Sequence, residues 1–284
     1  MFYFCRMQMI RKFVFIFFMG VALSGCSEYS KVLNKGKNAE RYDLAEKLYA
    51  EGEYKKCIPL YEKLVGPYGG KPQLERIQYM MADSYYQTGN YELSSYYFEK
   101  FIANYPSSSK IEEAAYLSAH SYYLAAPKYS RDQMDTKKAM EAFEGFIATY
   151  PESARIPMAN QIYSELTGRL EKKDFEIAKQ YYHTEHYTAA MKAFDIFNEE
   201  HLGSIYREEA MYYKFKSSYE LAMQSVLTKK GERLEEARQA YLKFQKNYPQ
   251  SERLKELDPM METIEIERAK AQEEINKIQL QTST

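Results

Sequence analysis

The chain has 284 residues, and its 39 Lys and Arg nearly balance its 40 Asp and Glu, for a net charge of −1. Such a balance supplies no basic face, which argues against nucleic-acid binding. Tyr is abundant, with 29 residues, so its positions need an explanation. Apolar residues follow helical spacing and no segment alternates as a strand does, so we predict an all-α fold.

Residues 1–25 have the features of a bacterial lipoprotein signal peptide. A basic stretch precedes the apolar run Phe13–Leu23, which is too short to span a bilayer by itself. The run ends in Leu23-Ser24-Gly25-Cys26, the order of a lipobox, in which the cysteine thiol is acylated before cleavage. The alternative is an ordinary secretory signal with an incidental cysteine. We predict that Cys26 carries the lipid (palmitate among its acyl chains) and begins the mature chain.

The residues after Cys26 indicate where the lipid would hold the protein. The acidic residue that retains many lipoproteins at the inner membrane is missing directly after Cys26, where Ser27 stands. We therefore expect an outer-membrane lipoprotein, anchored on the periplasmic face. Residues 26–38 are rich in small polar residues and are predicted to be a flexible tether. Cys57 is predicted to be a packing residue, and no disulfide is expected in the mature chain.

A string of anchor positions recurs five times along the chain. Each copy has a small residue, an aromatic residue or Leu three positions on, a second small residue, an aromatic residue four positions further, and usually Pro. The copies are Ala45, Leu48, Cys57, Tyr61, Gly69; Ala82, Tyr85, Ser94, Phe98, Pro106; Ala119, Tyr122, Ala139, Phe143, Pro151; Ala178, Tyr181, Ala190, Phe194, Leu202; and Lys216, Tyr219, Ala237, Tyr241, Pro249. This is the tetratricopeptide (TPR) pattern of helix–turn–helix repeats.

The repeats predict the domain organisation. We expect a right-handed superhelical solenoid of about five TPR repeats plus a C-terminal helix, because one such repeat cannot bury its own apolar face. The expected repeats cover about 39–71, 73–107, 110–152, 155–203 and 204–250, and the C-terminal helix and tail cover 253–284. The third and fourth copies are spaced more widely, which we attribute to a loop around Pro127–Asp135 and a helical stretch over Ile156–Lys173. The second position of the pattern, an aromatic residue in most copies, is expected where the two helices of a repeat meet, at Tyr85, Tyr122, Tyr181 and Tyr219.

Two series of tyrosines flank the first small anchors. Tyr42, Tyr79 and Tyr116 lie three residues before an anchor, and Tyr49, Tyr86 and Tyr123 lie four residues after one. Residues seven apart share one stripe of a helix, so each pair is expected on the concave side of the array. Tyr presents rigid apolar area with a polar tip, which suits peptide binding. Local stacking within the repeats explains the series equally well, and the two roles can coexist.

No catalytic or metal-binding motif stands out. A Gly-rich phosphate loop and an HExxH motif are both missing, and His183 and His186 have no third ligand at a suitable spacing. We expect no cofactor, no metal and no enzymatic activity. A peptidoglycan-acting enzyme would need a separate catalytic domain, and the repeats leave no segment for one.

Three features resemble one family. The loop Ser130–Gln133, with the helix after it, is similar to an Asp-Arg-Asp-Gln loop of the BamD (YfiO-like) family of TPR lipoproteins. The stretches Leu166–Leu170 and Phe175–Tyr182 resemble the most recognisable part of that family. The order of lipobox, tether and five repeats also agrees, over roughly Cys26–Ser251.

The resemblance implies a non-catalytic scaffold of the outer-membrane β-barrel assembly (BAM) machinery. Its partners would be a BamA-like barrel-inserting protein, other lipoproteins of the machinery and unfolded outer-membrane proteins. By analogy the N-terminal repeats would hold the substrate and the C-terminal repeats would dock the inserting protein. Candidate docking residues are Arg131, Asp132, Tyr182, Lys192 and Tyr213, with Lys192 close to a position where the family commonly has Arg. Another periplasmic TPR scaffold, serving envelope synthesis or division, is the alternative, and a peptidoglycan-acting enzyme is a distant third.

The C-terminal segment allows three interpretations. Asp258 is expected to cap a helix and Pro259 to lie in its first turn. The narrow apolar stripe of that helix contains Met261, Ile264, Arg268, Ala271, Ile275 and Ile278. The helix could close the last repeat, dock a partner or fray as a tail.

Overall fold

The computed structural model describes residues 28–282, and no β-strand occurs within that range. A helical stretch at residues 28–35, the docked helix, comes first. The helices that follow are α1 (Asn38–Ala50), α2 (Tyr54–Val65), α3 (Gln73–Gln87), α4 (Tyr91–Asn104), α5 (Ile111–Ala125), α6 (Met134–Thr149), α7 (Ile156–His183), α8 (Tyr187–Glu200), α9 (Arg207–Met223), α10 (Leu227–Asn247) and α11 (Leu254–Thr282). The all-α prediction is confirmed.

Neighbouring helices in the chain are also neighbours in space. Each helix from α1 to α5 packs against the next one, and so does each helix from α8 to α10. The chain divides into two compact units. The N-terminal unit holds the described residues up to Ala126 together with Met134–Tyr163, and the C-terminal unit holds Pro127–Gln133 and the described residues from Ser164 on. This sequential packing is that of TPR-like repeats.

Small anchors and phenylalanines build the cores of both units in the same way. In the N-terminal unit, Ala82 is fully buried against Phe98 and Phe101. In the C-terminal unit, Ala178 is fully buried in a cluster with Phe194 and Phe197. A methyl side chain lets two helix backbones approach closely, and burying each aromatic ring contributes about 2–3 kcal/mol. The repeat pattern is therefore a packing pattern.

In repeats 1, 2 and 4, the turn between the two helices contains one residue with a left-handed backbone. Gly52 (φ +77°) and Gly89 (φ +78°) fill this position in the N-terminal unit, where glycine carries no Cβ penalty. In the C-terminal unit the same place between helices is taken by Glu185, at φ 61°. The closing hydrogen bonds match as well, because Asn90 donates to the carbonyl of Tyr85 and His186 donates to that of Tyr181, at 3.0 and 2.9 Å.

The tether prediction is wrong for residues 28–35. Instead of forming a flexible linker, they are helical and pack through Tyr29 and Leu33 against the first hydrophobic cluster of the N-terminal unit. The apolar spacing of these two residues outweighs the small polar residues around them. Cys26 and the signal peptide lie outside the described residues.

The prediction for the start of the C-terminal helix is also wrong. The last helix, α11, begins at Leu254, so Pro259 lies inside it. Asp258 does not act as the cap, because its carboxylate accepts a hydrogen bond from the hydroxyl of Tyr241 at 2.8 Å. Leu257 and Ile264 of α11 are fully buried in the same cluster as Phe244, so this part of the helix packs against the last repeat.

The second pattern position also reaches the preceding repeat. Tyr85 is buried and stacks on Tyr97 in the second helix of its own repeat, at 5.2 Å between ring centroids. Its hydroxyl donates to Glu62 in the preceding repeat at 2.7 Å, and that of Tyr122 donates to Glu99 at 2.8 Å. Tyr181 is 41% exposed, so the position can also lie at the surface.

Candidate peptide-binding surface

The tyrosines that precede the anchors in repeats 2 and 3 lie on the phenylalanine pairs of the second helices. Tyr79 meets Phe98 and Phe101 edge to face, with ring centroids 5.8 and 5.4 Å apart. Tyr116 makes the same contacts with Phe143 and Phe146, at 6.2 and 5.5 Å. Such pairs add about 0.5–1.5 kcal/mol beyond area burial. Both tyrosines are only half-buried, so each packs on the core and keeps part of its surface exposed.

Tyr42 in the first repeat differs from these two. Its ring stacks on Tyr68, at 5.8 Å between centroids, instead of on a phenylalanine pair. Tyr42 is half-buried and contributes to the first hydrophobic cluster.

Two of the tyrosines that follow the anchors reach into the next repeat. The hydroxyl of Tyr49 donates to the carboxylate of Asp83, and that of Tyr86 lies 2.7 Å from Nδ1 of His120. The ring of Tyr123 lies against His120 of its own helix, at 5.6 Å between centroids. Burial and the bond to Asp83 raise the pKa of Tyr49, while burial lowers the pKa of His120. Tyr49 and Tyr86 therefore fasten the first helices of repeats 1 and 2 to the next first helix.

A cleft of about 450 Å³ opens beside these tyrosines in the N-terminal unit. Its lining residues are Tyr49, Pro72, Glu75, Arg76, Tyr79, Met80, Phe101, Ser109 and Lys110. Tyr49 and Tyr79, one from each predicted series, supply rings, and Arg76 and Lys110 supply cations at its rim. Arg76 is bound to Glu46 at 2.5 Å and Lys110 to Glu113 at 2.8 Å. The cleft can take apolar side chains and hydrogen-bond an extended backbone, and it has the size of a small-ligand or peptide site.

The docking candidates lie on three parts of the C-terminal unit. Tyr182 and Tyr213 touch, with ring centroids 5.0 Å apart. Arg131 and Asp132 are exposed in the loop of residues 127–133, and Lys192 is exposed on α8. The backbone carbonyl of Arg131 accepts a hydrogen bond from Lys173 at 2.6 Å, which ties the loop to α7.

The buried Gln133 organises that loop, a role that the sequence did not indicate. Its amide donates to the carbonyls of Lys128, Arg131 and Asp132, at 2.9, 3.0 and 3.3 Å. A buried glutamine with several backbone acceptors fixes a loop because leaving them unpaired would cost free energy. A second cleft, of about 460 Å³, lies between this loop and α7 and includes Tyr129 and the 86% exposed Ile205.

The sequence did not indicate the contacts of two lysines in the C-terminal unit. Lys179 is paired with Glu209 at 2.9 Å and lies over the ring of Tyr213, at 5.0 Å. Lys216, at the place of a small anchor, binds Glu256 at 2.8 Å and lies 5.9 Å from the ring of Tyr182. Cations over aromatic faces are attracted by the ring quadrupole. Tyr182 and Tyr213, which are predicted to dock a partner, therefore each have a lysine over the ring, and each lysine is paired with a glutamate.

A serine clamp links successive repeats in both units. Ser108 is bound to Glu75, Ser153 to Glu112 and Ser251 to Glu208, each at 2.6 Å. Each serine oxygen also accepts a backbone N–H two residues on, which closes the turn that leads into the following helix. The signal was present in the sequence, since each of the three serines stands two residues after the proline of a Tyr-Pro pair.

The described residues show no metal site, because residues 28–282 contain no group of three or more His, Cys, Asp and Glu side chains that could hold a metal ion. None of the helices in that range is long and apolar enough to cross a membrane. Cys57 is buried and unpaired, and burial raises the pKa of its thiol to about 12, which keeps it unreactive.

Sequential helix pairs with small residues at their crossings define a helical-repeat protein of the TPR type. A family model described as YfiO, outer membrane lipoprotein, matches residues 34–234. The chain belongs to the YfiO family of outer membrane lipoproteins, which confirms the resemblance seen in its sequence.

The other comparisons add no argument about function. No match was found among curated proteins. One similar solved structure is that of kinesin light chain TPR-like repeats from Podosopora anserina, with 15% identity, a TM-score of 0.31, and coverage of 73% of this chain and 96% of that chain.

Proposed function

We propose that this lipoprotein is a non-catalytic scaffold of the outer-membrane β-barrel assembly machinery. It binds a BamA-like barrel-inserting protein and unfolded outer-membrane proteins, from the periplasmic face of the outer membrane, where lipid on Cys26 holds it. Membership in the YfiO family carries this proposal.

The cleft of the N-terminal unit supports the substrate role. Strands of outer-membrane β-barrels alternate apolar and polar side chains and carry aromatic residues at the membrane interfaces. The half-buried rings of Tyr49 and Tyr79 offer apolar and edge-to-face contacts to such residues. Arg76 and Lys110 at the rim provide donors for the peptide backbone or its carboxylate.

The C-terminal unit supports the docking role. Tyr182 and Tyr213 supply the aromatic area that interfaces favour, and the exposed Lys192 adds a positive charge. Lys179 and Lys216 hold the two rings in place through contacts with Tyr213 and Tyr182. A partner would therefore meet a largely preformed surface, which lowers the entropic cost of binding.

A pull-down of the full-length acylated protein from detergent-solubilised outer membrane tests the docking role. We expect a BamA-like protein in near-stoichiometric amount. Recovery of cell-wall or division proteins in its place would contradict the proposal.

Photo-crosslinking tests the substrate role separately. A photoreactive residue at Ser109, which lines the cleft, should crosslink to a peptide with the terminal strand sequence of an outer-membrane protein. The matched control places the same residue at Tyr96, which is 45% exposed and outside the cleft lining. Equal labelling at both positions, or equal labelling by a scrambled peptide, would count against the cleft.

A further inference from the structure

The docked helix, residues 28–35, is fastened to the N-terminal unit at several points. The hydroxyl of Tyr29 donates to the carbonyl of Lys56 in α2 at 3.0 Å. Tyr29 and Leu33 pack on the first hydrophobic cluster. Nε of Arg41 in α1 donates to the carbonyl of Leu33 at 3.2 Å. Contacts with α1, α2 and the first hydrophobic cluster therefore hold the docked helix in place.

The connection from the docked helix to α1 has little freedom. The N–H of Gly36 donates to the carbonyl of Val32 at 2.9 Å, and a Cβ on Gly36 would come within 2.5 Å of that same oxygen. Only glycine fits such an approach. The N–H of Lys37 then donates to the carboxylate of Glu40 at 2.9 Å, which caps α1. Hydrogen bonds to the docked helix and to α1 therefore fix the connection between them.

This docking limits how far the predicted lipid can lie from the protein. Cys26 precedes Glu28 by two residues, and an extended chain spans at most about 3.6 Å per residue, so its Cα lies within about 7 Å of the start of the docked helix. A flexible tether of the length first expected would have allowed several times that distance. A lipid at Cys26 would bring the docked helix to the membrane surface.

The outer side of the docked helix suits that position. Tyr29 and Leu33 face the core, and Lys31 and Lys35, four residues apart, lie on the opposite side and are exposed. Lys37 is exposed just after it. The exposed Glu28 is the acidic residue of the segment. The outward charge is thus mainly positive, and lysines near an anionic membrane surface each strengthen binding.

We propose that the docked helix seats the N-terminal unit on the membrane, with Lys31 and Lys35 against anionic phospholipid headgroups. The inference rests on the lipid at Cys26 that the proposed function includes. The protein is then held at the bilayer in one orientation, through the α1–α2 edge of its N-terminal unit, instead of hanging from a free tether. Each lysine in headgroup contact changes the seated population by about fivefold.

Quenching by headgroup-labelled lipids tests the seating. The acylated full-length protein would carry a fluorophore through Asn34→Cys in vesicles that contain phosphatidylglycerol, with Tyr96→Cys as the matched position. We expect strong quenching at position 34 and weak quenching at position 96. An insertion of about twelve Gly and Ser residues after Ser27, which spans roughly 20 Å, should abolish the difference.

Charge reversal separates seating from anchoring. Lys31→Glu with Lys35→Glu should lower the quenching at position 34 in vesicles with phosphatidylglycerol and leave it unchanged in phosphatidylcholine alone. Acylated protein with equal quenching at both positions, or with quenching that ignores the insertion, would overturn the seating but not the proposed scaffold. Mass spectrometry that finds no acyl chain on Cys26 would overturn the anchor, and the seating with it.

Discussion

The two units differ in the partners of the tyrosines that follow the anchors on their first helices. In the N-terminal unit, Tyr49 donates to Asp83 and Tyr86 pairs with His120. In the C-terminal unit, Lys216 lies over the ring of Tyr182 and binds Glu256. The tyrosines before the anchors do not differ in this way, because both units place a cation over such a ring: Lys110 over Tyr79 and Lys179 over Tyr213.

The position after the anchor contributes to the contacts between repeats. Asp83, His120 and Lys179 each directly follow a fully buried alanine anchor. Asp83 and His120 contact tyrosines of the preceding repeat, whereas Lys179 contacts Glu209 and Tyr213 of the following one. The residue at this position can therefore change the contacts between repeats while the alanine before it stays buried.

The largest expected effect tests the part that the units share. Phe98→Ala in the N-terminal unit and Phe194→Ala in the C-terminal unit each remove a fully buried ring. We expect each to lower the free energy of unfolding by about 3–5 kcal/mol, because a cavity remains. Urea unfolding followed by circular dichroism measures the loss, and hydrogen exchange resolved by peptide shows which unit loosens.

The control for this pair is Ile205→Ala. Ile205 is 86% exposed, so its loss should change stability by no more than about 0.5 kcal/mol. Clearly unequal losses at Phe98 and Phe194 would show that the two cores are not equivalent.

An intermediate effect on stability is expected where the units differ, at the hydroxyl groups of the tyrosines after the anchors. Tyr49→Phe removes the hydroxyl that serves Asp83, whose side chain is only 6% exposed and keeps Gln87 as a donor at 3.2 Å. Leaving a buried carboxylate short of a donor costs about 1–3 kcal/mol. The same change at Tyr182 should cost about 0.5 kcal/mol or less, because Lys216 beside it is already bound to Glu256.

Denaturation of both variants in the same buffer checks this contrast. Tyr181→Phe serves as the control, since Tyr181 is an exposed tyrosine in the same helix as Tyr182. If Tyr49→Phe proved as mild as Tyr181→Phe, the bond to Asp83 would not stabilise the repeat pair.

Much of the fold could be predicted because the repeat pattern reports packing. Ala82, Ala119 and Ala178 are fully buried, as a helix crossing requires, and the phenylalanines around them fill the core. Tyr79 and Tyr116, which precede two of the anchors, pack on these phenylalanines, and their place on a concave side stays a prediction. Whether they bind a peptide stays a prediction, since a half-buried ring on Phe98 serves either role.

The rest could not be predicted because it depends on partners far apart in the sequence. Tyr49 and Asp83 are 34 residues apart, and Lys216 and Glu256 are 40 apart. No local pattern pairs them. The predictions for Pro259 and for residues 28–35 were wrong for a different reason. Local preferences indicated a helix start at Asp258 and a flexible tether, but burial of Leu257 and packing of Tyr29 and Leu33 favour helix at both places.

The smallest expected effect concerns the turn between the two helices of a repeat, where the C-terminal unit has Glu185 and the N-terminal unit has glycine. Glu185→Gly should stabilise the C-terminal unit by about 0.5 kcal/mol. A left-handed backbone costs a non-glycine residue about 1–2 kcal/mol, and the freedom that glycine adds to the unfolded chain offsets part of this gain. Glu185 is exposed, so little contact is lost.

The matched change in the N-terminal unit is Gly89→Ala, which should destabilise it by about 1 kcal/mol for the same reason. Urea midpoints measure both shifts. A loss of stability in Glu185→Gly would mean that the glutamate side chain stabilises the turn. The two turns would then differ in what holds them, although the hydrogen bonds of Asn90 and His186 that close them match.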